Sequence, residues 1–141
     1  MTRALVLIAG ATLLSACVTP SGFQPRSDYP PDPWVKGYSN PDDCLGGEQL
    51  AARDFALPDY PKRAFRDGRQ GWVILQLDVD ATGQTRNVDV TRAVPEDGFL
   101  GGFEGAAVKA VEAWRFEPPA APLTSCRVLL RFRMGSVSLG S

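Results

Sequence analysis

Histidine is absent from all 141 residues. That removes Ser-His-Asp and Cys-His catalysis, the most frequent general base, and every zinc site that needs an imidazole. Any enzymatic chemistry then rests on carboxylates, lysine or tyrosine. Asp78, Asp80 and Asp89 fall on or beside the outward face of one hairpin, where neighbouring carboxylates can do acid–base work. A solvated sheet face is the simpler reading of the same three residues. Asp42-Asp43 before Cys44 reads as a turn, not a metal site. No catalytic residue, metal or cofactor is therefore expected. A net charge of −1 gives no reason to look for a nucleic-acid surface. Arg127, Arg131 and Arg133 share one face of the last strand and suit an anionic partner. What remains with chemistry is the set of three cysteines, Cys17, Cys44 and Cys126.

The N-terminus tells where they work. Arg3 supplies one positive charge, and residues 4–14 form an apolar run of 11 without charge. A spanning helix needs about 20, so this shape is expected to be a cleaved secretory signal. Leu14-Ser15-Ala16-Cys17 resembles the lipobox of bacterial lipoproteins, in which the bond before the cysteine is cut and its sulfur carries lipid. The small Ser15 and Ala16 fit a narrow peptidase site. The resemblance implies that residues 1–16 are removed and that Cys17 anchors the chain to a membrane. Position 18 is Val, not Asp, which by the sorting rule of such lipoproteins implies a periplasmic protein on the inner leaflet of the outer membrane. In that oxidising compartment Cys44 and Cys126 are an even pair, and a disulfide is the default. A metal pair has too few ligands, and a reactive thiol has no base near it in sequence. The bridge closes a loop of about 80 residues and contributes roughly 4 kcal/mol in the loop-entropy picture.

These groups must be held by the rest of the chain. Residues 17–57 are expected to be a lipidated tether. Pro20, Pro25, Pro30, Pro31, Pro33 and Pro41 fall in its part from Val18 to about Asp43, block helix and sheet and favour polyproline II, which gives that part a reach of about 80 Å when extended. Tyr29, Trp34 and Tyr38 lie within it, and docking onto the domain is preferred over contact with a partner. Residues 58–134 form the domain, and 135–141 a flexible tail.

Within the domain, Pro61 suits the first turn of a short helix over residues 62–67, stopped by Gly68. Val73, Leu75, Leu77 and Val79 alternate with Trp72, Ile74, Gln76 and Asp78, the period of a strand. Gly83 makes the turn into a second strand over residues 85–94, with Val88 and Val90 inward. Phe103, Ala106, Ala107, Ala110, Val111 and Trp114 recur along one face of a helix, with Glu104 near its positive end. Pro118 and Pro119 end it. Residues 126–133 are the last strand, with Val128, Leu130 and Phe132 on one side and Arg127, Leu129, Arg131 and Arg133 on the other. Trp114 and Phe116 are core; Trp72 packs under residues 57–61 or forms part of a binding surface, and packing is preferred. The fold class is α+β: a hairpin plus a third strand at the edge of a three-stranded antiparallel or mixed sheet, with one long helix on one face and a short N-terminal helix. A helix between the second and third strands favours a right-handed crossover, which places the first strand between them. The edge strand Arg127, Val128, Leu129, Leu130, Arg131, Phe132 and Arg133 can then accept an added strand.

Tyr60-Pro61, Gly71-Trp72-Val73, Gly83, the alanine-rich helix and Trp114-Arg115-Phe116-Glu117-Pro118, in that order, resemble the TonB C-terminal domain family. The resemblance covers residues 58–134. It implies a helix on a three-stranded sheet, no enzymatic activity, and a binding role in which the last strand pairs with a short extended segment of a TonB-dependent outer-membrane transporter for siderophores or similar nutrients. A homodimer through the same edge is the other outcome of an open strand. TonB energy transducers hold an uncleaved inner-membrane helix and a long spacer, whereas this chain has a cleavable signal and a lipid. Transporter docking without energy transduction is the expected function; a structural envelope module that binds another envelope protein or the cell wall is the alternative.

Overall fold

The computed structural model describes residues 22–33, 52–96, 98 and 102–140. The signal at 1–16, Cys17, Trp34, Tyr38, Asp42, Asp43 and Cys44 lie outside the described residues.

A three-residue strand, β1 (Ala52–Asp54), precedes a short helix, α1 (Lys62–Arg66). Pro61 is the residue before that helix, at φ −59 and ψ 126, a conformation its ring favours. Then follow β2 (Gly71–Val79), β3 (Thr85–Val94), α2 (Phe103–Ala113), β4 (Arg115–Phe116), β5 (Leu123–Arg133) and β6 (Ser136–Leu139). The main sheet has the order β3-β2-β5-β6, and β1 pairs separately with β4; every pairing is antiparallel. As expected, β2 lies between its two long neighbours. Helix α2 packs on β2 and β3.

Period-2 alternation on β2 sends Val73, Leu75, Leu77 and Val79 into the core under α2. They meet Phe103, Ala107 and Val111 of the helix and Val128, Leu130 and Phe132 of β5. Each large side chain buried there contributes roughly 1.5–3 kcal/mol. The other face of β2 is apolar too: Trp72 and Ile74 join Leu129 in a second buried cluster with Tyr29 and Val94.

Four expectations need correction. The sheet has four strands, not three, and the last long strand is not its edge: β6 pairs with Leu130–Arg133. The segment from 135 is not a loose tail; Met134 and Gly135 both take positive φ (52 and 78), the twist that lets a two-residue loop close a hairpin. Trp72 does not pack under residues 57–61: its indole N–H donates to the Pro31 carbonyl at 3.0 Å. Finally, the tether does not run unbroken over residues 17–57, because β1 lies in it and residues 22–33 strap the domain; the docking preferred for Tyr29 is borne out, since its ring joins the cluster on the sheet face opposite α2. Phe23 is buried edge-on against Tyr60 and Phe65. The Arg26 N–H donates to the Gly68 carbonyl at 2.9 Å, and the Gln70 side-chain amide donates to the Ser27 carbonyl at 2.9 Å. Gly68, at φ +64, permits this approach; a Cβ there would lie 2.1 Å from the Gln24 carbonyl oxygen.

Candidate protein-docking site

The main sheet has two outer strands, β3 and β6, and the β5–β6 hairpin, next to the edge expected from sequence, is the candidate for strand addition. Along β5 the side chains alternate as the spacing predicts. Val128, Leu130 and Phe132 enter the main core, Leu129 enters the far-face cluster, and Arg127 and Arg133 are exposed. Cys126 is buried and disulfide-bonded; the expected partner Cys44 lies outside the described residues. Pairing Arg133 with Ser136 across a two-residue loop makes that pair exchange its hydrogen bonds. The alternation then turns the backbone groups of Val137 and Leu139 away from the β5 backbone, although the Leu139 carbonyl accepts from the Arg131 guanidinium at 3.4 Å. The Gly140 N–H bonded to the Leu129 carbonyl at 2.8 Å keeps the same register. Among the described residues no strand pairs with the outer side of β6. Val137 is half-buried against the core, while Leu139 is 38% exposed. Sequence reasoning missed these residues. The available signal was the alternation of Ser136, Val137, Ser138 and Leu139 after a glycine.

The arginine face differs from its expected role. Arg131 donates from Nε to Asp32 at 3.0 Å, and the Arg133 guanidinium stands 5.1 Å from the Tyr29 ring. Tyr29 donates its hydroxyl to Asp32 at 2.8 Å. Burial raises the Tyr29 hydroxyl pKa, and the bond to Asp32 raises it further. For Asp32, burial pushes upward, but hydrogen bonds from Arg131 and Tyr29 outweigh it and hold the carboxyl below its usual range. Two of the three arginines thus hold the strap. On the same face the Arg92 guanidinium lies 5.4 Å from the Trp72 ring.

Two of the three hairpin carboxylates, Asp78 and Asp80, are structural, and Asp89 is exposed. Asp78 accepts from the Asn87 side chain at 2.7 Å and from the Ser125 backbone at 2.9 Å. Asn87 and Ser125 both have positive φ and sit where β3 and β5 slip register against β2, so one carboxylate clamps two irregularities. Those bonds, Asn87 first, depress its pKa. Asp80 accepts from Thr82 Oγ1 and from the backbone N–H groups of Thr82 and Gln84, and pairs with Arg86 at 3.0 Å. The Thr82 hydroxyl leads in depressing its pKa. A general acid needs the opposite shift. With folded pKa values below the unfolded one near 3.9, both groups contribute stability at neutral pH that fades as pH drops below about 4. Denaturant midpoints across an acid series are expected to fall in that window, and Asp80→Asn flattens the fall.

A concavity of about 570 Å³ lies between residues 54–62 and α2, lined by Phe55, Leu57, Pro58, Ala106, Ala110 and Trp114. Among the described residues no group of three or more potential metal ligands is present.

Residues 56–133 match the family described as Gram-negative bacterial TonB protein C-terminal, more than half of the 141 residues. The chain belongs to this family. Protein TonB of Xanthomonas campestris pv. campestris (strain B100) is 37% identical over 67 residues, covering 48% of this chain and 28% of that protein. Protein TonB of Yersinia enterocolitica is 38% identical over 66 residues, 47% of this chain and 24% of that protein. The chain thus spans about a quarter of the length of these curated relatives. The solution NMR structure of the Pseudomonas aeruginosa TonB CTD shares the fold, with a TM-score of 0.53 at 22% identity over 63% of this chain and 90% of that one.

The residues that carry the likeness hold the TonB C-terminal fold together. Tyr60 lies edge-on to Phe23, Phe65, Phe103 and Phe132 and donates its hydroxyl to the Arg69 carbonyl; burial pushes its pKa up to about 12. Gly71 approaches the Val94 carbonyl, Gly83 the Phe116 carbonyl. Trp114 and Phe116 are buried, Pro61 is half-buried and Pro118 is exposed. Both the strap and β6 lie outside the matched residues 56–133.

Proposed function

We propose that this chain is an exported envelope lipoprotein whose TonB-type domain docks an extended segment of an outer-membrane transporter by strand addition. The reading is supported by family membership and by the lipobox at Leu14-Ser15-Ala16-Cys17. One observation carries it: among the described residues the sheet ends on β6, with the Val137 backbone and the Leu139 N–H turned outward. The docking strand is thereby moved from Arg127–Arg133, the edge expected from sequence, to the strand that follows it. A lipid holds the chain to one leaflet, so the role is capture at the membrane rather than transmission of force. The domain acts without cofactor or catalysis, as a binding module for transporters of siderophores or similar nutrients. The alternative, a structural module for an anionic wall component, is weakened because Arg131 and Arg133 already hold Asp32 and Tyr29.

Calorimetry with synthetic N-terminal transporter peptides tests the docking. Leu139→Pro removes an outward N–H from a half-exposed position and leaves the inward bonds of β6 intact. Binding is expected to weaken at least about tenfold, the equivalent of one good hydrogen bond to an extended peptide, with the melting temperature little changed. Equal affinity for wild type and variant would rule out pairing at β6. Leu129→Pro is no substitute, since Leu129 is buried and paired with Ile74.

A further inference from the structure

The strap changes how far the domain stands from its anchor. A free tether reaches about 80 Å. Phe23, however, is buried against Tyr60 and Phe65, and from there the chain stays on the sheet as far as Asp32. Only six residue steps separate Phe23 from Cys17, about 20 Å at full extension.

The corner that receives Phe23 is basic. Helix α1 exposes Lys62, Arg63 and Arg66 while Ala64 is buried. Arg26, also exposed, is tied by its N–H to the Gly68 carbonyl just beyond the helix. The acidic groups nearby in the chain are Asp28, Asp59 and Asp67. Asp67 lies 3.8 Å from Arg63 and 3.9 Å from Arg66, whose side chains are 75% and 77% exposed. Ion pairs that long and that exposed constrain the guanidiniums little, so both can turn to phosphate, which a guanidinium binds through two parallel hydrogen bonds.

We infer that this corner, α1 with Arg26, seats on the anionic headgroups of the leaflet that holds the Cys17 lipid. The inference rests on the lipoprotein reading above and adds an orientation to it. A lipid chain and a basic surface are two signals that reinforce each other. The short lead from Cys17 to Phe23 brings the basic corner to the membrane and leaves the far end of β2 pointing away.

The test uses the full lipidated chain in phosphatidylethanolamine vesicles containing phosphatidylglycerol. A fluorophore is placed at Lys62→Cys or at Thr82→Cys, and a quencher is carried on the lipid headgroups. Thr82 lies past the opposite end of β2, a nine-residue strand of roughly 30 Å. Quenching is expected to be several-fold stronger at position 62. Combined Arg63→Glu and Arg66→Glu, or phosphatidylcholine in place of phosphatidylglycerol, is expected to lower it several-fold while the chain stays on the vesicles. Equal quenching at both positions, or indifference to the charge reversal, overturns the orientation. Mass spectrometry of the chain isolated from cell membranes separates the two readings. An unmodified Cys17 removes the anchor and this inference with it, whereas an acylated Cys17 with equal quenching removes the orientation alone.

Discussion

Trp114→Ala is expected to destabilise the domain by about 3–5 kcal/mol, the range for deleting a buried tryptophan. Trp114 is 1% exposed. Its ring stacks on Phe55 at 4.2 Å and meets Phe116 at 6.4 Å in an edge-on arrangement, and its N–H donates to the Ala56 carbonyl at 2.8 Å. The indole therefore fixes three things at once: the end of α2, the start of β4 and the segment that follows β1. Removing it leaves a cavity and an unpaired carbonyl. Small domains have about 5–15 kcal/mol in total, so the variant is expected to sit near its unfolding midpoint at mild denaturant. Trp114→Phe keeps the stacking and loses the hydrogen bond, with a smaller cost of about 1–2 kcal/mol. Urea midpoints of the three proteins check both figures. A loss below about 1 kcal/mol for the alanine variant would contradict the packing described.

Gly83→Ala is expected to cost at least about 3 kcal/mol, far beyond an ordinary surface change. Gly83 holds φ +85, where a side chain adds about 1–2 kcal/mol of strain. The larger effect is steric. A Cβ at this position would lie 1.9 Å from the Phe116 carbonyl oxygen and 2.8 Å from its carbon. The Phe116 N–H also donates to the Gly83 carbonyl at 2.8 Å, so relief of the clash breaks that bond and lifts β4. Gly98 is the internal control: it has φ +72 with nothing within 4 Å of a built Cβ. Gly98→Ala should show the backbone strain alone. Thermal melts are expected to separate the two by more than about 8 °C, since 1 kcal/mol moves the midpoint of a domain this size by roughly 4–8 °C. Similar midpoints would mean that the turn does not bear on Phe116.

The same two residues show what a sequence can reveal. Gly83 was legible because it falls between two alternating runs, and a glycine there signals a turn. Trp114 was legible because it completes the helical stripe from Phe103. The central position of β2 also followed, from the right-handed crossover that a helix between the second and third strands favours. What stayed hidden depends on partners remote in the chain or on residues in unfavoured conformations. Asp32 and Arg131 are 99 positions apart, and neither carries a local sign of the other. Trp72 was correctly suspected of packing, yet its partner Pro31 stands 41 residues earlier. β6 escaped because Met134, not Asn or Gly, holds φ 52 at the turn; methionine does not announce a hairpin. The edge was therefore placed one strand too early, and the docking residues with it. Asn87 and Ser125 are a further case, since neither spacing nor composition told that Asp78 would hold them both in positive φ.

The outer side of β6 is where docking is most directly tested. A photo-reactive residue at Leu139, whose side chain is 38% exposed, is introduced into the full chain in living cells, and crosslinked products are identified by mass spectrometry. A probe at Glu112, exposed on α2, serves as the control. Strand addition predicts an adduct from Leu139 with an outer-membrane transporter, joined near that transporter's extended N-terminal segment, and none from Glu112. A Leu139 probe that captures only a second copy of this chain, or a transporter adduct formed from Glu112 and not from Leu139, would contradict it.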